Sequence, residues 1–264
     1  MPDSFRLTEA AARKYQAHSV PAMFGPLAER TVELLRLQSD AHVLDVACGT
    51  GALTRAIAKS LPGRGRILGT DLNQTMIDVA RELTPDTTHT LEWLAADVTE
   101  LPLKDGTFDL ACIQQGLQFF PDKPAALREI QRVLKSDGRL CLTCWKEISP
   151  FNDSLATALE HHISTQAAKK ARAPFSYRDG EAIRLLLEET GFTVKRHETI
   201  DLQREFDELG EQILALPIEK DLREAGAEKT QLVIDTTAKL LAPYERDGVF
   251  IVPQKAHFFD AHCG

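Results

Sequence analysis

The sequence predicts an α/β protein: an open, mostly parallel sheet with helices on both faces. Three observations carry this reading. Residues 42–54 run His-Val-Leu-Asp-Val-Ala-Cys-Gly-Thr-Gly-Ala-Leu-Thr, an apolar stretch that ends in two glycines and leads into helix-compatible sequence. That is the pattern of a buried strand, a tight turn and a helix. Strand-like and helix-like segments then alternate as far as residue 145. Finally, Asp45, Asp71 and Asp97 fall at the ends of three consecutive predicted strands, the edge where open α/β sheets bind ligands.

The glycine turn is where chemistry is expected first. Glycines let backbone approach a ligand closely, and a helix start offers free N–H groups to an anionic moiety. Two nucleotide readings compete. A dinucleotide fingerprint needs a third small residue at position 54, which is occupied by Thr54. The second reading, S-adenosylmethionine, needs only an acid inside the strand end, as Asp45 is, and the pair Gly49 and Gly51.

At 264 residues, 43% apolar and 27% charged, the chain fits one large globular unit able to bury a core. A net charge of −8 argues against a surface built for a phosphate backbone, so no nucleic acid is expected. No apolar run approaches the roughly 18 residues of a membrane span, and residues 1–13 lack the apolar core of a signal peptide. Five cysteines, an odd number without framework spacing, read as reduced thiols and a cytoplasmic location.

Residues 1–37 are expected to form an N-terminal helical cap, with helix over 8–37 broken near Pro21–Pro26. Tyr15, His18 and Phe24 either line a site as part of a lid or simply pack on the sheet. Strand one spans 41–47, and its helix stops at Leu61-Pro62-Gly63. A second strand, 66–70, ends at Asp71, which lies 20 residues beyond Gly51, the separation at which an acid accepts both ribose hydroxyls. The alternative for Asp71 is a helix N-cap, a duty that Asn73 or Thr75 can take instead. A third strand, 91–95, leads to Asp97, placed for the adenine amino group, with Val98 on the ring face. A fourth, 107–113, ends in Gln114. Helix is expected over 125–134, closed by Lys135 and Gly138, then a fifth strand over 139–145. Further on, the sequence suggests helices at 151–170 and 180–189, a long strand at 192–206, charged helix at 208–244 broken at Pro217, and a closing strand at 249–259. Pro253 suits an edge or a bulge of that last strand.

Five motifs occur in order: Leu-Asp-Val-Ala-Cys-Gly-Thr-Gly (44–51), Gly-Thr-Asp-Leu-Asn-Gln-Thr-Met-Ile (69–77), Ala-Ala-Asp-Val-Thr-Glu-Leu-Pro-Leu (95–103), Phe-Asp-Leu with Phe-Phe-Pro-Asp, and Glu-Ile-Gln-Arg-Val-Leu-Lys-Ser-Asp-Gly (129–138). This resembles the ubiquinone/menaquinone-biosynthesis (type 11) small-molecule branch of class I S-adenosylmethionine-dependent methyltransferases. The resemblance implies a Rossmann-like seven-stranded sheet with an antiparallel last strand. It implies a cofactor-binding core at 38–146, helical lid or substrate inserts at 147–179 and 207–246, and closing strands at 192–206 and 249–259. The implied activity is in-line methyl transfer from S-adenosyl-L-methionine to an O, N or C nucleophile, leaving S-adenosyl-L-homocysteine, chiefly through proximity and orientation. The implied cofactor residues are Asp45, Ala47, Cys48, Gly49 and Gly51 around the methionine part, Asp71, Leu72 and Met76 at the adenosine, Asp97 and Val98 at the adenine, and Gln114 near the sulfonium.

No catalytic residue is assigned. His18, His257, Tyr15 and Gln118 are candidates for a base, while His161 and His162 sit in a polar helix and read as solvated. No metal is expected: Cys141 and Cys144 are three apart on a strand, so they point to opposite faces. The loop after strand four, Gln-Gln-Gly-Leu, lacks the signatures of DNA- and protein-modifying relatives, leaving a small organic acceptor. The oligomer is a monomer or homodimer. Two other readings remain: an NAD(P)-dependent oxidoreductase on a similar fold, and a non-catalytic protein that binds the nucleotide.

Overall fold

A computed structural model describes residues 8–264; the first seven residues of the expected cap lie outside the described residues. Eight strands form one sheet: β1 (His42–Val46), β2 (Arg66–Asp71), β3 (Thr90–Ala95), β4 (Phe108–Gln114), β5 (Leu134–Trp145), β6 (Phe192–Phe206), the two-residue β7 (Glu245–Arg246) and β8 (Val249–Cys263). The order is β3-β2-β1-β4-β5-β8-β6, with β7 attached to β8. The first five strands pair in parallel, and β8 runs antiparallel to both neighbours. Seven strands with the last reversed is thus the observed main path. Chain order diverges on either side of β1, so the switch point lies at the carboxyl ends of β1 and β4.

Two apolar layers cover the sheet. On one face α5 (Lys123–Val133) and α8 (Gly180–Glu189) pack Leu127, Ile130 and Leu187 on Leu44, Ile113 and Leu142. On the other, α2 (Gly25–Leu35) and α3 (Ala52–Ser60) pack Leu27, Leu35 and Ile57 on Val43, Ile67 and Leu110. Alternation along β5 puts Cys144 in the first layer and Cys141 in the second, so the two thiols cannot meet on one ion.

Beyond Trp145, which pairs with Ala256, β8 loses β5 as a neighbour and continues with β6 as far as Phe206↔Phe250. This two-stranded extension carries α6 (Pro150–His162), α7 (Thr165–Arg172), α9 (Leu209–Leu214), α10 (Glu219–Ala225) and α11 (Ala227–Leu241), around a third core that includes Phe151, Ile213, Val233 and Val252. Pro253 sits opposite Gln203 in this extension. Its missing N–H therefore falls on a strand with a sheet neighbour on one side only, the edge setting expected for it.

Four expectations about elements need correction. The stretch 8–37 is not broken at its prolines: α1 (Glu9–Lys14) passes into a π-helical segment, Tyr15–Phe24, and then into α2. A proline clashes with the carbonyl four residues back in an α-helix. The wider π register, seen where Gly25 N–H donates to the Val20 carbonyl, accommodates Pro21. The helix expected over 151–170 is two, because Ser164 caps α7 by accepting from Ala167 N–H. Lys135 does not close α5: its ammonium pairs with Asp109 of β4 at 2.5 Å, and β5 starts at Leu134. The 208–244 stretch breaks at Gly226, φ 91°, as well as near Pro217. His162, read as solvated, is half-buried and bonded to Thr236 of α11 at 2.8 Å.

Candidate cofactor site

The ends of β1, β2 and β4 stand level, with Val46 opposite both Thr70 and Ile113. From this edge the chain after β1 makes a turn in which Ala47, Gly49 and Gly51 all have positive φ (55°, 56° and 82°). Ala47 carries a side chain in a region that costs roughly 1–2 kcal/mol, the kind of local strain found at functional sites. At Gly51 a Cβ would run into the Trp93 ring, so glycine is required twice over.

Asp71 organises the turn. Its Oδ2 accepts from Gly49 N–H and its Oδ1 from Asn73 N–H, both at 2.9 Å, tying the glycine turn to the start of α4 (Gln74–Glu82). Asn73 is the N-cap of α4, accepting from Thr75 N–H, so capping falls to the neighbour that the sequence offered for it. Burial raises the Asp71 carboxyl, while the two backbone bonds pull it back.

Asp45 lies beneath the turn and is 1% exposed. Its Oδ2 accepts from Thr54 Oγ1 at 2.6 Å; its Oδ1 is buried without a partner. Burial pushes this carboxyl up to about 7, against the downward pull of the Thr54 bonds. Sequence reasoning used Thr54 only to discount a dinucleotide site, and missed that it holds Asp45.

A narrow cleft of about 20 Å³ opens between the turn and the π-helical segment, lined by Tyr15, Phe24, Asp45, Ala47, Cys48 and Gln114 among others. The rings of Tyr15 and Phe24 stand 5.2 Å apart. Gln114 donates Nε2–H to the Phe24 carbonyl at 3.1 Å, leaving its Oε1 buried and unpartnered. Burial raises the Tyr15 phenol and the Cys48 thiol, so both stay protonated, and the thiol is a poor nucleophile. Met76 packs against Tyr15 and Ala12.

The N-terminal segment is fastened to the turn by residues the sequence did not flag. Thr50 Oγ1 donates to Gln16 Oε1 at 2.6 Å, and Arg55 donates to the Thr50 carbonyl at 2.5 Å and to Gln16 Oε1 at 3.4 Å. Trp93, whose Nε1–H donates to Thr84 Oγ1 at 2.8 Å, lies against Gly51 and Gly69. A tryptophan facing two glycines across neighbouring elements was the available signal.

Other expected residues fall outside the cavity. Asp97 accepts from the Thr99 N–H and hydroxyl at 2.9 and 2.8 Å, and Val98 packs at the margin of the first core. Leu72 is 48% exposed. His18 lies 3.8 Å from Glu211. Gln118 accepts from the Cys144 thiol at 3.9 Å. Both ring nitrogens of His257 are engaged, with His197 at 2.9 Å and the Arg178 carbonyl at 3.1 Å. Of the four candidate bases only Tyr15 reaches the cavity wall.

A family profile described as a methyltransferase domain matches residues 44–142. The demethylmenaquinone methyltransferase of Lactiplantibacillus plantarum is 44% identical over 117 residues, 43% of this chain and 49% of the relative. The chain spans about half the length of the first curated relatives it matches. Among solved structures, an S-adenosylmethionine-dependent methyltransferase from Aquifex aeolicus superposes with a TM-score of 0.56 at 20% identity, over 73% of this chain and 92% of that one. A Haemonchus contortus phosphoethanolamine N-methyltransferase, solved with phosphomonomethylethanolamine and S-adenosylhomocysteine, gives 0.61 at 19% identity, over 99% of this chain and 58% of that one. At these identities the structural likeness establishes the fold. Motif order, strand order and sequence similarity converge on residues 44–142, the part of the chain that is similar to a methyltransferase domain.

Proposed function

We propose that this protein methylates a small organic acceptor, using S-adenosylmethionine bound at the carboxyl edge of β1, β2 and β4. The observation that carries the reading is a pair of buried acceptors without donors, Asp45 Oδ1 and Gln114 Oε1, on the wall of one cavity beside the Tyr15 and Phe24 rings. Unpaired buried oxygens call for N–H groups or positive charge, and aromatic faces favour a cation. The methionine part of the cofactor supplies an ammonium and a sulfonium.

In this reading Asp45 takes the ammonium, and the N–H groups of the glycine turn and of the α3 start take the carboxylate. Asp71 keeps Gly49 in place and offers its remaining lone pairs to the ribose. Asp97 and Val98 receive the adenine, with Leu72 and Met76 flanking the adenosine. The bound cofactor supplies a methyl group already activated by the positive charge on sulfur. The chain's own work is then to hold an acceptor in line and keep water out. Inserts 147–179 and 207–246 build the acceptor side and set its identity. The name of the L. plantarum relative makes a quinone-type precursor a reasonable first acceptor to try. A cytoplasmic location belongs to the same reading and is supported by five unpaired cysteines.

Calorimetric titration with S-adenosylmethionine, S-adenosylhomocysteine and NADH tests the cofactor. Micromolar binding of the first two is expected, weakened at least about tenfold in Asp71→Ala as a charge-assisted contact is lost. Binding of NADH alone would sink the proposal and make the turn a divergent dinucleotide site.

A further inference from the structure

The two-stranded extension of β6 and β8 holds a cation inside the molecule. Arg204 is 1% exposed. Alternation along β6 puts it on the same face as Ile200, Leu202 and Phe206, all turned towards the interior. Its Cζ stands 3.8 Å from the centroid of the Phe151 ring and 5.4 Å from that of Phe206. One nitrogen, Nη2, donates to Gln212 Oε1 of α9 at 2.7 Å. The other two, Nε and Nη1, are buried without a partner.

An arginine kept for packing alone is normally matched by a carboxylate or by carbonyls, because a buried unpaired charge is strongly unfavourable. Here burial is the only influence on the guanidinium, and it pulls the group down to about 9 with no acid to offset it.

A second orphan lies on the same face. Gln254 pairs with Leu202, diagonal to Arg204 across the strands. It is 1% exposed, and both its Oε1 and its Nε2 lack partners. These groups sit where the core under the π-helical segment, with Ile200 and Ala256, meets the core of the inserts, with Phe151 and Phe206. The π-helical segment packs on both β6 and α9, and Gln212 donates an Nε2 hydrogen to the His18 carbonyl at 3.3 Å. The same segment carries Tyr15 and Phe24 into the cofactor cavity. The orphan cation therefore borders the cofactor side and the insert side at once.

We infer that Arg204, assisted by Gln254, is an anion-binding subsite for the methyl acceptor, which carries a carboxylate or phosphate on a flat apolar body. The planar fork of a guanidinium matches both oxyanions in a two-point contact, and Phe151 and Phe206 offer the apolar wall. The inference rests on the methyltransferase reading only in calling this ligand the acceptor.

The test is calorimetric binding of 2-naphthoate, 2-naphthyl phosphate and the neutral 2-naphthamide, with and without saturating S-adenosylhomocysteine. The full chain and its variants Arg204→Met and Arg204→Lys are compared. The expected result is that wild type binds at least one anion ten times or more tighter than the amide; whichever anion wins identifies the source. Arg204→Met loses that preference, keeps its affinity for S-adenosylhomocysteine, and melts no lower than wild type, since an unpaired buried charge has been removed. Arg204→Lys, a point charge without the fork, retains part of the preference. Equal or undetectable binding of all three probes by wild type overturns the inference, and so does a preference that survives Arg204→Met. Should Arg204→Met fail to fold, the wild-type comparison of anions with amide still decides. Anion preference without S-adenosylhomocysteine binding would keep the subsite and sink the methyltransferase reading; the reverse pattern would do the opposite.

Discussion

Asp45 shows how a single buried carboxyl serves two opposed demands. In the ligand-free fold, burial holds its proton up to about pH 7, well above the usual carboxylate value of about 3.9. The folded state thus binds this proton more tightly than the unfolded state. The stability Asp45 contributes is complete below about pH 4 and is lost as pH rises through about 7. A cationic ligand reverses the preference, because it needs the ionised form. Affinity for S-adenosylhomocysteine, which keeps the ammonium, should therefore rise about tenfold per pH unit below about 7 and level off above it. Asp45→Asn should bind more weakly at pH 8 and show a flat profile. Calorimetry between about pH 5.5 and 8 measures both; a flat wild-type profile would mean that Asp45 does not face the ammonium.

At the scale of elements, the π-helical segment is a wall of the cavity held by a few polar bonds. Gln16 Oε1 receives both Thr50 and Arg55, so Gln16→Leu removes the acceptor of the Thr50 hydroxyl in the glycine turn and of one Arg55 nitrogen of α3. A loss of about 1 kcal/mol is expected, with lower hydrogen-exchange protection over Tyr15–Phe24 and faster release of S-adenosylhomocysteine. Unchanged exchange would show that apolar packing alone holds the segment. This tie was invisible in the sequence because its partners are 34 residues apart and neither belongs to a motif. What was legible was local. An apolar run, two glycines and acids at strand ends fix where backbone turns and where charge collects, and Asp45, Gly49 and Asp71 did come together. The prolines at 21 and 26 were misread as a break because propensity rules describe α-helices and not the wider π register. Thr54 was judged against one ligand's pattern when its partner was the strand acid nine residues earlier. Arg204 could have been found: the alternation Ile-Asp-Leu-Gln-Arg-Glu-Phe at 200–206 already sets it on the apolar face.

Across the whole molecule, a histidine pair joins the two antiparallel strands to the segment that leads into α8. His257 of β8 bonds the Arg178 carbonyl and His197 of β6. A carbonyl only accepts, so His257 Nε2 carries the hydrogen; His257 Nδ1 then accepts from His197 Nε2–H. This arrangement requires a neutral His257. Burial lowers both rings, Lys146 adds to the effect on each, and Arg184 adds to it at His197. Against them, Glu181 raises His197, while Asp179 and the Arg178 carbonyl raise His257. With folded values below the unfolded value of about 6.5, the pair's contribution to stability is complete above that value. It is lost as pH falls from there through the folded values. Asp45 acts in the opposite direction over the same range, gaining stability on acidification. Wild type should therefore show a shallow dependence of Tm on pH between about 7 and 5, the resultant of two opposed titrations. Asp45→Asn should expose the histidine term and lose stability more steeply on acidification. His257→Gln can donate to the Arg178 carbonyl and accept from His197 without titrating, and should lose less than wild type or gain. Thermal melts of the three proteins across that range separate the terms. Parallel curves for wild type and His257→Gln would show that the histidine pair carries no pH-dependent part of the fold's stability.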